Sequence, residues 1–292
     1  MRIEILVDVK TTLGEGPLWD VDQERLYFID SFDGRVFRTT VDGRELRAWD
    51  VPAKIGSMAL RKDGNGAIVS LQTGFHALDF RSGDCDLIHD PEPDRPKNRI
   101  NDGKVDRRGR FFAGSMDTME EGPFGALYRV DPDFSVTKVE TGIICSNGPC
   151  FSPDDKTFYF NDTWSGAIWA YDYDVETGEA TNRRDHAKVD MSGGGAADGS
   201  TVDAEGFLWN AQVYDGKIVR YAPDGSVDRV IEMPVKKVTS VMFGGPNLDI
   251  LFVTSMAKPP LPRFPDDGVQ RGSLFAIHDL DIKGVPEPRF GA

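Results

Sequence analysis

Short apolar and aromatic runs recur along the whole chain, and each is bounded by residues that favour turns. Leu26–Ile29, Phe158–Phe160, Phe207–Trp209 and Ile250–Val253 are such runs, with Asp, Gly, Asn or Pro nearby on either side. No stretch of helical length carries the 3.6-residue apolar spacing of an amphipathic helix. The pattern therefore predicts an all-β protein made of short strands.

The runs belong to a unit that repeats six times, at a spacing of about 45 residues. In each unit an apolar first strand is followed by a polar turn, a second strand and a Gly that opens the third strand. The aligned first-strand residues are Trp19, Leu60, Val105, Phe151, Val202 and Phe243. Four-stranded units at this spacing are typical of a β-propeller, whereas an open sandwich or two smaller all-β domains lack such regularity. We predict an all-β, six-bladed β-propeller, a single domain over residues 1–292, with Ile3–Val7 as the outer strand of the last blade.

The repeat also predicts a ring of equivalent residues around the central channel. The residues four positions before the aligned apolar ones are Glu15, Gly56, Asn101, Asn147, Asp198 and Thr239. Asn or Asp before Gly is a common turn former, but four carboxylate or amide side chains at one register, Glu15, Asn101, Asn147 and Asp198, favour a shared site. Carboxylate and amide oxygens suit Ca²⁺, Mg²⁺ or Mn²⁺, and Zn²⁺ fits this donor set less well.

Long connections and aromatic side chains are expected at the same face as this ring. The longest are Asp90–Arg99, Ser115–Gly125, Met191–Ala197 and Ala257–Gly272. They join second to third strands or one blade to the next, so they emerge where the innermost strands begin, and function usually lies on such loops. Four aromatic residues in these or equivalent connections could form walls for a sugar ring: Phe32, Phe124, Trp164 and Tyr214.

Composition and charge narrow the partners. The chain has 48 acidic and 34 basic residues, a net charge of −14, which disfavours nucleic acids and anionic membranes as partners. Three cysteines and no secretory leader pattern predict a cytoplasmic protein. Neither a Gly-x-Ser-x-Gly elbow nor a P-loop is present, and the four histidines lack metal-binding spacing.

Several motifs together resemble the gluconolactonase/regucalcin family, also called the senescence-marker-protein family, over the full length of the chain. They are Leu13–Trp19, Asn98–Asp106, Gly109–Met116, Ser146–Pro149, Phe158–Asp162, Asp198–Ser200 and Phe243–Gly245. The resemblance implies a six-bladed propeller that holds one divalent metal ion in its channel and hydrolyses sugar lactones.

The resemblance also implies roles for individual residues. Glu15, Asn147 and Asp198 would be the metal ligands, and Asp198 would also be the catalytic proton donor and acceptor. Arg99, Asn101 and Glu121 would bind the substrate. The loop 117–124 differs in length from the family pattern. Whether Glu121, Glu120 or neither contacts the substrate therefore stays open. Ca²⁺ is the first expectation for the cofactor, with Mg²⁺, Mn²⁺, Zn²⁺ and Fe²⁺ as alternatives.

The function predicted from the sequence is divalent-metal-dependent hydrolysis of an aldonolactone to the sugar acid, with the sugar lactone as small-molecule partner. A non-catalytic Ca²⁺-binding regulatory propeller is one alternative, and a promiscuous esterase or phosphotriesterase on the same site is another. A pure metal buffer has no need of an arginine at the channel mouth, so Arg99 favours the enzyme. Pentonolactone and hexonolactone pockets differ by a few loop contacts, which leaves both substrates open.

Overall fold

The computed structural model describes residues 1–259 and 267–291 and consists almost entirely of strands. In chain order the strands are β1 Arg2–Val7, β2 Gly14–Asp20, β3 Arg25–Asp30, β4 Arg35–Thr39, β5 Arg47–Asp50, β6 Ile55–Leu60, β7 Gly66–Leu71, β8 Gly74–Asp79, β9 Cys85–His89, β10 Asn98–Val105, β11 Phe111–Asp117, β12 Gly125–Val130, β13 Val136–Ile143, β14 Ser146–Phe151, β15 Thr157–Asp162, β16 Ala167–Asp174, β17 Glu179–Lys188, β18 Ala196–Val202, β19 Leu208–Val213, β20 Lys217–Tyr221, β21 Val227–Glu232, β22 Val238–Gly244, β23 Ile250–Ser255 and β24 Leu274–His278. Among the described residues, one 3₁₀ turn is present and spans Thr163–Ser165. Within the described ranges, no helix has the length and apolar character needed to cross a bilayer.

The strands form six four-stranded antiparallel sheets, which confirms the predicted six-bladed β-propeller. Five blades use four consecutive strands each, beginning at β2, β6, β10, β14 and β18. The sixth blade has the order β1-β24-β23-β22, with Arg2 opposite His278 and Ile5 opposite Phe275. The N-terminal strand therefore closes the ring, as the sequence predicted.

Apolar side chains fill the space between neighbouring blades. Trp49 of the first blade lies in one buried cluster with Met58 and Leu78 of the second. Trp209 of the fifth blade meets Phe243 of the sixth edge to face, at 5.5 Å between ring centroids. Because these contacts are apolar, burial between neighbouring blades stabilises the ring of sheets.

Each innermost strand has an irregularity at the predicted ring register. The pairing shifts between Glu15 and Leu18 in β2, between Asn147 and Cys150 in β14, and at equivalent places in the other four innermost strands. Bulges of this kind re-aim side chains out of the sheet. Gly56 holds the second blade's ring position because an added Cβ would lie 2.3 Å from the carbonyl oxygen of Ile100.

Candidate metal and substrate site

A small cavity, partly open to solvent, lies on the axis where the innermost strands begin. Four ring residues line it, namely Glu15, Asn101, Asn147 and Asp198. The other two ring positions do not: Gly56 has no side chain, and the Thr239 hydroxyl donates to the carbonyl of Gly14. The structure thus brings together the four ring residues with carboxylate or amide side chains, as the sequence register predicted.

Three of these side chains form a buried set of oxygen donors. Glu15 is 8% exposed, Asn147 5% and Asp198 6%. The amide nitrogen of Asn147 donates to Thr163 Oγ1 at 2.7 Å, which turns Asn147 Oδ1 towards the axis. No lysine, arginine or histidine of the described residues makes an ion pair with Glu15 or Asp198. The two carboxylates therefore share one cavity without a bound cationic side chain.

The electrostatics of this set suit a divalent cation. Burial raises the pKa of Glu15 well above its ordinary value, and the negative charges of Asp198 and Asp102 raise it further. Burial also raises the pKa of Asp198, again with a contribution from Asp102. A cation between the carboxylates would remove the repulsion and replace the lost hydration.

The donor set is one of oxygens rather than of nitrogen and sulfur. Nowhere in the described chain do three or more His, Cys, Asp or Glu side chains cluster as a metal site, because the third donor here is an amide. Cys145 also lines the cavity, but burial raises the pKa of its thiol and so disfavours the thiolate. The residues present fit Ca²⁺ or another hard cation better than Zn²⁺.

Arg99 and Asn101 form a second group in the same cavity. Arg99 is 5% exposed, and its Nη1 donates to Asn101 Oδ1. The amide nitrogen of Asn101 donates to the carbonyl of Ser146 at 2.7 Å and to Asn147 Oδ1 at 3.0 Å. Burial lowers the pKa of Arg99, whereas the carboxylates of Glu15 and Glu120 raise it. The pair links the donor set to the cavity mouth and offers further N–H groups to a ligand.

Of the two glutamates left open by the sequence, Glu120 lies on the cavity wall. Its Oε2 accepts a hydrogen bond from Trp164 Nε1 at 2.8 Å, and its backbone has a positive φ of 53°. Glu121 is exposed and is not part of the wall, and its backbone N–H donates to Asp117 Oδ2. The geometry favours Glu120 over Glu121 as the acidic residue that could meet a substrate.

The predicted aromatic residues divide into two groups. Trp164 and Tyr214 line the cavity, and Phe32 packs against the apolar cluster beside it. Phe124 is 51% exposed and lies outside the wall. Two of the four predicted aromatic residues therefore contribute to the cavity wall.

One part of the cavity wall was not predicted from the sequence. It lies at or just beyond the ends of the blades' second strands. Each of these residues pairs with, or donates a backbone hydrogen bond to, the residue two positions before a ring residue. They are Met116, Thr163, Val213 and Met256. The same repeat that located the ring would have found them, had the register been carried across to the neighbouring strand. Asp162 supports this region, since its carboxylate accepts the backbone N–H groups of Ile144 and Cys145.

Comparisons with known proteins agree with this arrangement. Residues 13–257 match the family model described as the SMP-30/Gluconolactonase/LRE-like region. Regucalcin of Xenopus laevis is 34% identical over 99% of this chain and 98% of its own length. A luciferin-regenerating enzyme has a similar structure, with a TM-score of 0.93 and 28% identity over 100% of this chain and 99% of its own. The structure of regucalcin from Agrobacterium tumefaciens, described as a calcium-binding protein, has a TM-score of 0.88 and 28% identity over 98% and 96% of the two chains.

Proposed function

The chain belongs to the SMP-30/gluconolactonase/LRE-like family, and from that premise we propose that it hydrolyses sugar lactones with a divalent metal ion. The family supports a role as a sugar lactone hydrolase. The observation that carries the finer proposal is the cavity itself. It holds two buried carboxylates and an amide oxygen, Glu15, Asp198 and Asn147, beside the hydrogen-bonded pair Arg99–Asn101.

A sugar lactone is a cyclic ester, so its hydrolysis needs an activated carbonyl, an attacking water and a proton for the ring oxygen. Glu15, Asn147 and Asp198 would hold the cation, and when bound the cation supplies Lewis acidity at the ester carbonyl. Ca²⁺ is the proposed ion, because all three donors are oxygens and an Agrobacterium relative is described as calcium-binding.

Asp198 is the proposed proton carrier. Its carboxylate takes a proton from the attacking water and returns it to the ring oxygen as the carbon–oxygen bond breaks. Asp198 therefore has two roles, as ligand and as general acid–base.

Arg99, Asn101 and Glu120 would hold the substrate. The guanidinium of Arg99 can donate to hydroxyl or carbonyl oxygens of the sugar, and the carboxylate of Glu120 can accept from sugar hydroxyls. Trp164 already donates to Glu120, which fixes its carboxylate at the wall. These contacts would place the ester next to the three proposed metal donors.

A calcium-binding regulatory protein without catalysis is the second candidate, supported by the name of the regucalcin relatives. The buried Arg99–Asn101 pair favours the enzyme, because cation binding alone does not require a buried guanidinium beside the donors. A promiscuous esterase or phosphotriesterase would use the same donors on other substrates.

One experiment separates these candidates. Protein treated with a chelator is assayed with pentonolactones, hexonolactones, an aryl ester and a phosphotriester, each with Ca²⁺, Mg²⁺, Mn²⁺ or Zn²⁺ added. We expect turnover of sugar lactones that depends on added metal and exceeds turnover of the other esters. Tight Ca²⁺ binding with no turnover of any substrate would support the regulatory candidate instead.

A further inference from the structure

Lys54 occupies the position in the second blade that Arg99 occupies in the third. Lys54 lies two residues before Gly56, and Arg99 two residues before Asn101, so both stand just above the ring on neighbouring blades. The backbone around Lys54 is fixed: its carbonyl accepts from Gln72 N at 2.9 Å, and the next residue, Ile55, donates to Ser31 O at 3.0 Å. The lysine is therefore held at the channel mouth by regular structure.

The Lys54 side chain rests on an aromatic ring beside the cavity. Its Nζ lies 4.5 Å from the ring centroid of Phe32. Phe32 packs against the cluster that includes Leu13 and Met256, two residues of the cavity wall. A cation–π contact of this kind positions an ammonium without neutralising its charge.

Lys54 is a cation without an acidic partner in the described part of the chain, since no carboxylate there makes an ion pair with it. Partial burial lowers the pKa of Lys54, and the nearby positive charge of Arg99 lowers it further. Two like charges held close together are unfavourable unless an anion lies between or beside them.

The charges of the cavity indicate what that anion is. Glu15, Asp198 and Glu120 line the cavity together with Arg99. Lys54 lies outside this wall and makes no ion pair among the described residues, so its charge faces a ligand only where the ligand extends beyond the wall. In a chain of net charge −14, an anionic substrate is repelled overall, so a local cation at the mouth matters most for such a substrate.

Resting on the proposed lactonase function, we propose that Lys54 is a specificity-determining residue that selects sugar lactones carrying an anionic group outside the lactone ring. Lysine presents a compact charge on a flexible stem, which accepts either a carboxylate or a phosphate. A neutral aldonolactone can use the ring donors and Arg99 but leaves the Lys54 charge without a partner.

The test compares three hexonolactones that differ at the end away from the ester: a hydroxyl, a carboxylate or a phosphate. Lys54→Met keeps the apolar stem and removes the charge, whereas Lys54→Arg keeps a positive charge at the same position. Lys138→Met is the matched control, because Lys138 Nζ also lies over a ring, 5.7 Å from the centroid of Tyr128, but on the outer strand β13.

We expect the wild-type protein to prefer one of the two anionic lactones over the neutral one. Losing a hydrogen bond to a charged group weakens binding by roughly 10-fold to 100-fold. Lys54→Met should therefore lower kcat/KM for the preferred anionic lactone by that factor, mainly through a higher KM. The neutral lactone should change by less than about 2-fold, Lys54→Arg should retain the preference, and Lys138→Met should behave as wild type. The preferred substrate identifies the anion as carboxylate or phosphate.

Equal losses on neutral and anionic lactones, or no preference in the wild-type protein, would overturn the role of Lys54 while leaving lactone hydrolysis intact. A second readout does not need turnover. Calorimetry compares binding of the open-chain sugar monoacid with binding of the diacid and of the phosphorylated monoacid to metal-loaded protein. At least one of the latter two should bind more tightly than the monoacid, and Lys54→Met should remove the difference. Failure of all lactones to react would count against the proposed function, and the binding difference would then still decide the role of Lys54.

Discussion

Asp198→Asn should stabilise the metal-free protein and inactivate the enzyme at the same time. Asp198 is buried, and no cation among the described residues pairs with it, so its ionised form is held at a cost that burial and Asp102 both increase. Asparagine keeps the size and one carbonyl oxygen but carries no charge. The substitution removes the buried charge, and each kcal/mol of stability gained corresponds to roughly 2–4 °C in Tm for a domain of this size.

The sign of this effect depends on pH. A carboxyl group whose pKa is raised in the folded state stabilises the fold at acid pH and loses that contribution as the pH rises through the raised pKa. The gain from Asp198→Asn should therefore appear at about pH 8 and shrink towards about pH 5. The assay is thermal unfolding in excess chelator at both pH values.

Activity should move in the opposite direction. Loss of general acid–base help typically costs about 10²- to 10⁴-fold, so kcat of Asp198→Asn should fall at least ~100-fold even at saturating metal. If saturating metal restores kcat to near the wild-type value, Asp198 is only a ligand. If the metal-free variant melts below the wild-type protein at about pH 8, the reasoning about uncompensated charge is refuted.

Asp203→Asn is the matched control in the same blade. Asp203 is fully buried, but it is paired with Arg220 at 2.7 Å and accepts from Trp209 Nε1 at 2.8 Å. Breaking a buried pair costs about 3–5 kcal/mol, so this variant should lower Tm. Its kcat should stay near wild type below the melting temperature, because Asp203 does not line the cavity.

Three further predictions concern the same cavity. Glu15→Gln should weaken metal binding more than Asn147→Ala does, because a carboxylate supplies a formal charge and an amide only a dipole; equal losses in metal titrations would contradict the ligand assignment. Arg99→Ala should raise KM with a smaller fall in kcat and leave metal affinity unchanged, and a fall in metal affinity would mean that Arg99 shapes the metal site. Chelation should abolish activity but leave the β-sheet circular dichroism signal intact, and cooperative unfolding on chelation at room temperature would contradict this expectation. The stabilisation by metal should grow as the pH rises, because the pKa values of Glu15 and Asp198 are raised in the metal-free protein.

The fold and the ring were predictable because both depend on a repeat. Six equivalent strands must present one register to the axis, so Glu15, Asn101, Asn147 and Asp198 converge whatever the loops do. The register shift at each ring position was not visible in the sequence, because it depends on how the innermost strand pairs with its neighbour.

The loop residues were harder to predict for a physical reason. Whether Glu120 or Glu121 faces the cavity depends on one residue adopting a positive φ, and Glu120 adopts 53° where the sequence favours neither glutamate. The position of Lys54 depends on Phe32 in another blade's loop, so its significance required the tertiary structure. Repetition specifies the strands and the ring, but each connection has its own conformation.

The decisive measurement for metal-dependent lactone hydrolysis is a titration. Divalent cation is added in known equivalents to chelated protein, and the rate of lactone hydrolysis is measured at each step. We predict a negligible rate without metal and a rate that rises to a plateau at one equivalent, with Asp198→Asn binding the cation but staying inactive. Full activity in the chelated wild-type protein, or a cation bound at one equivalent with no hydrolysis of any sugar lactone, would contradict the account.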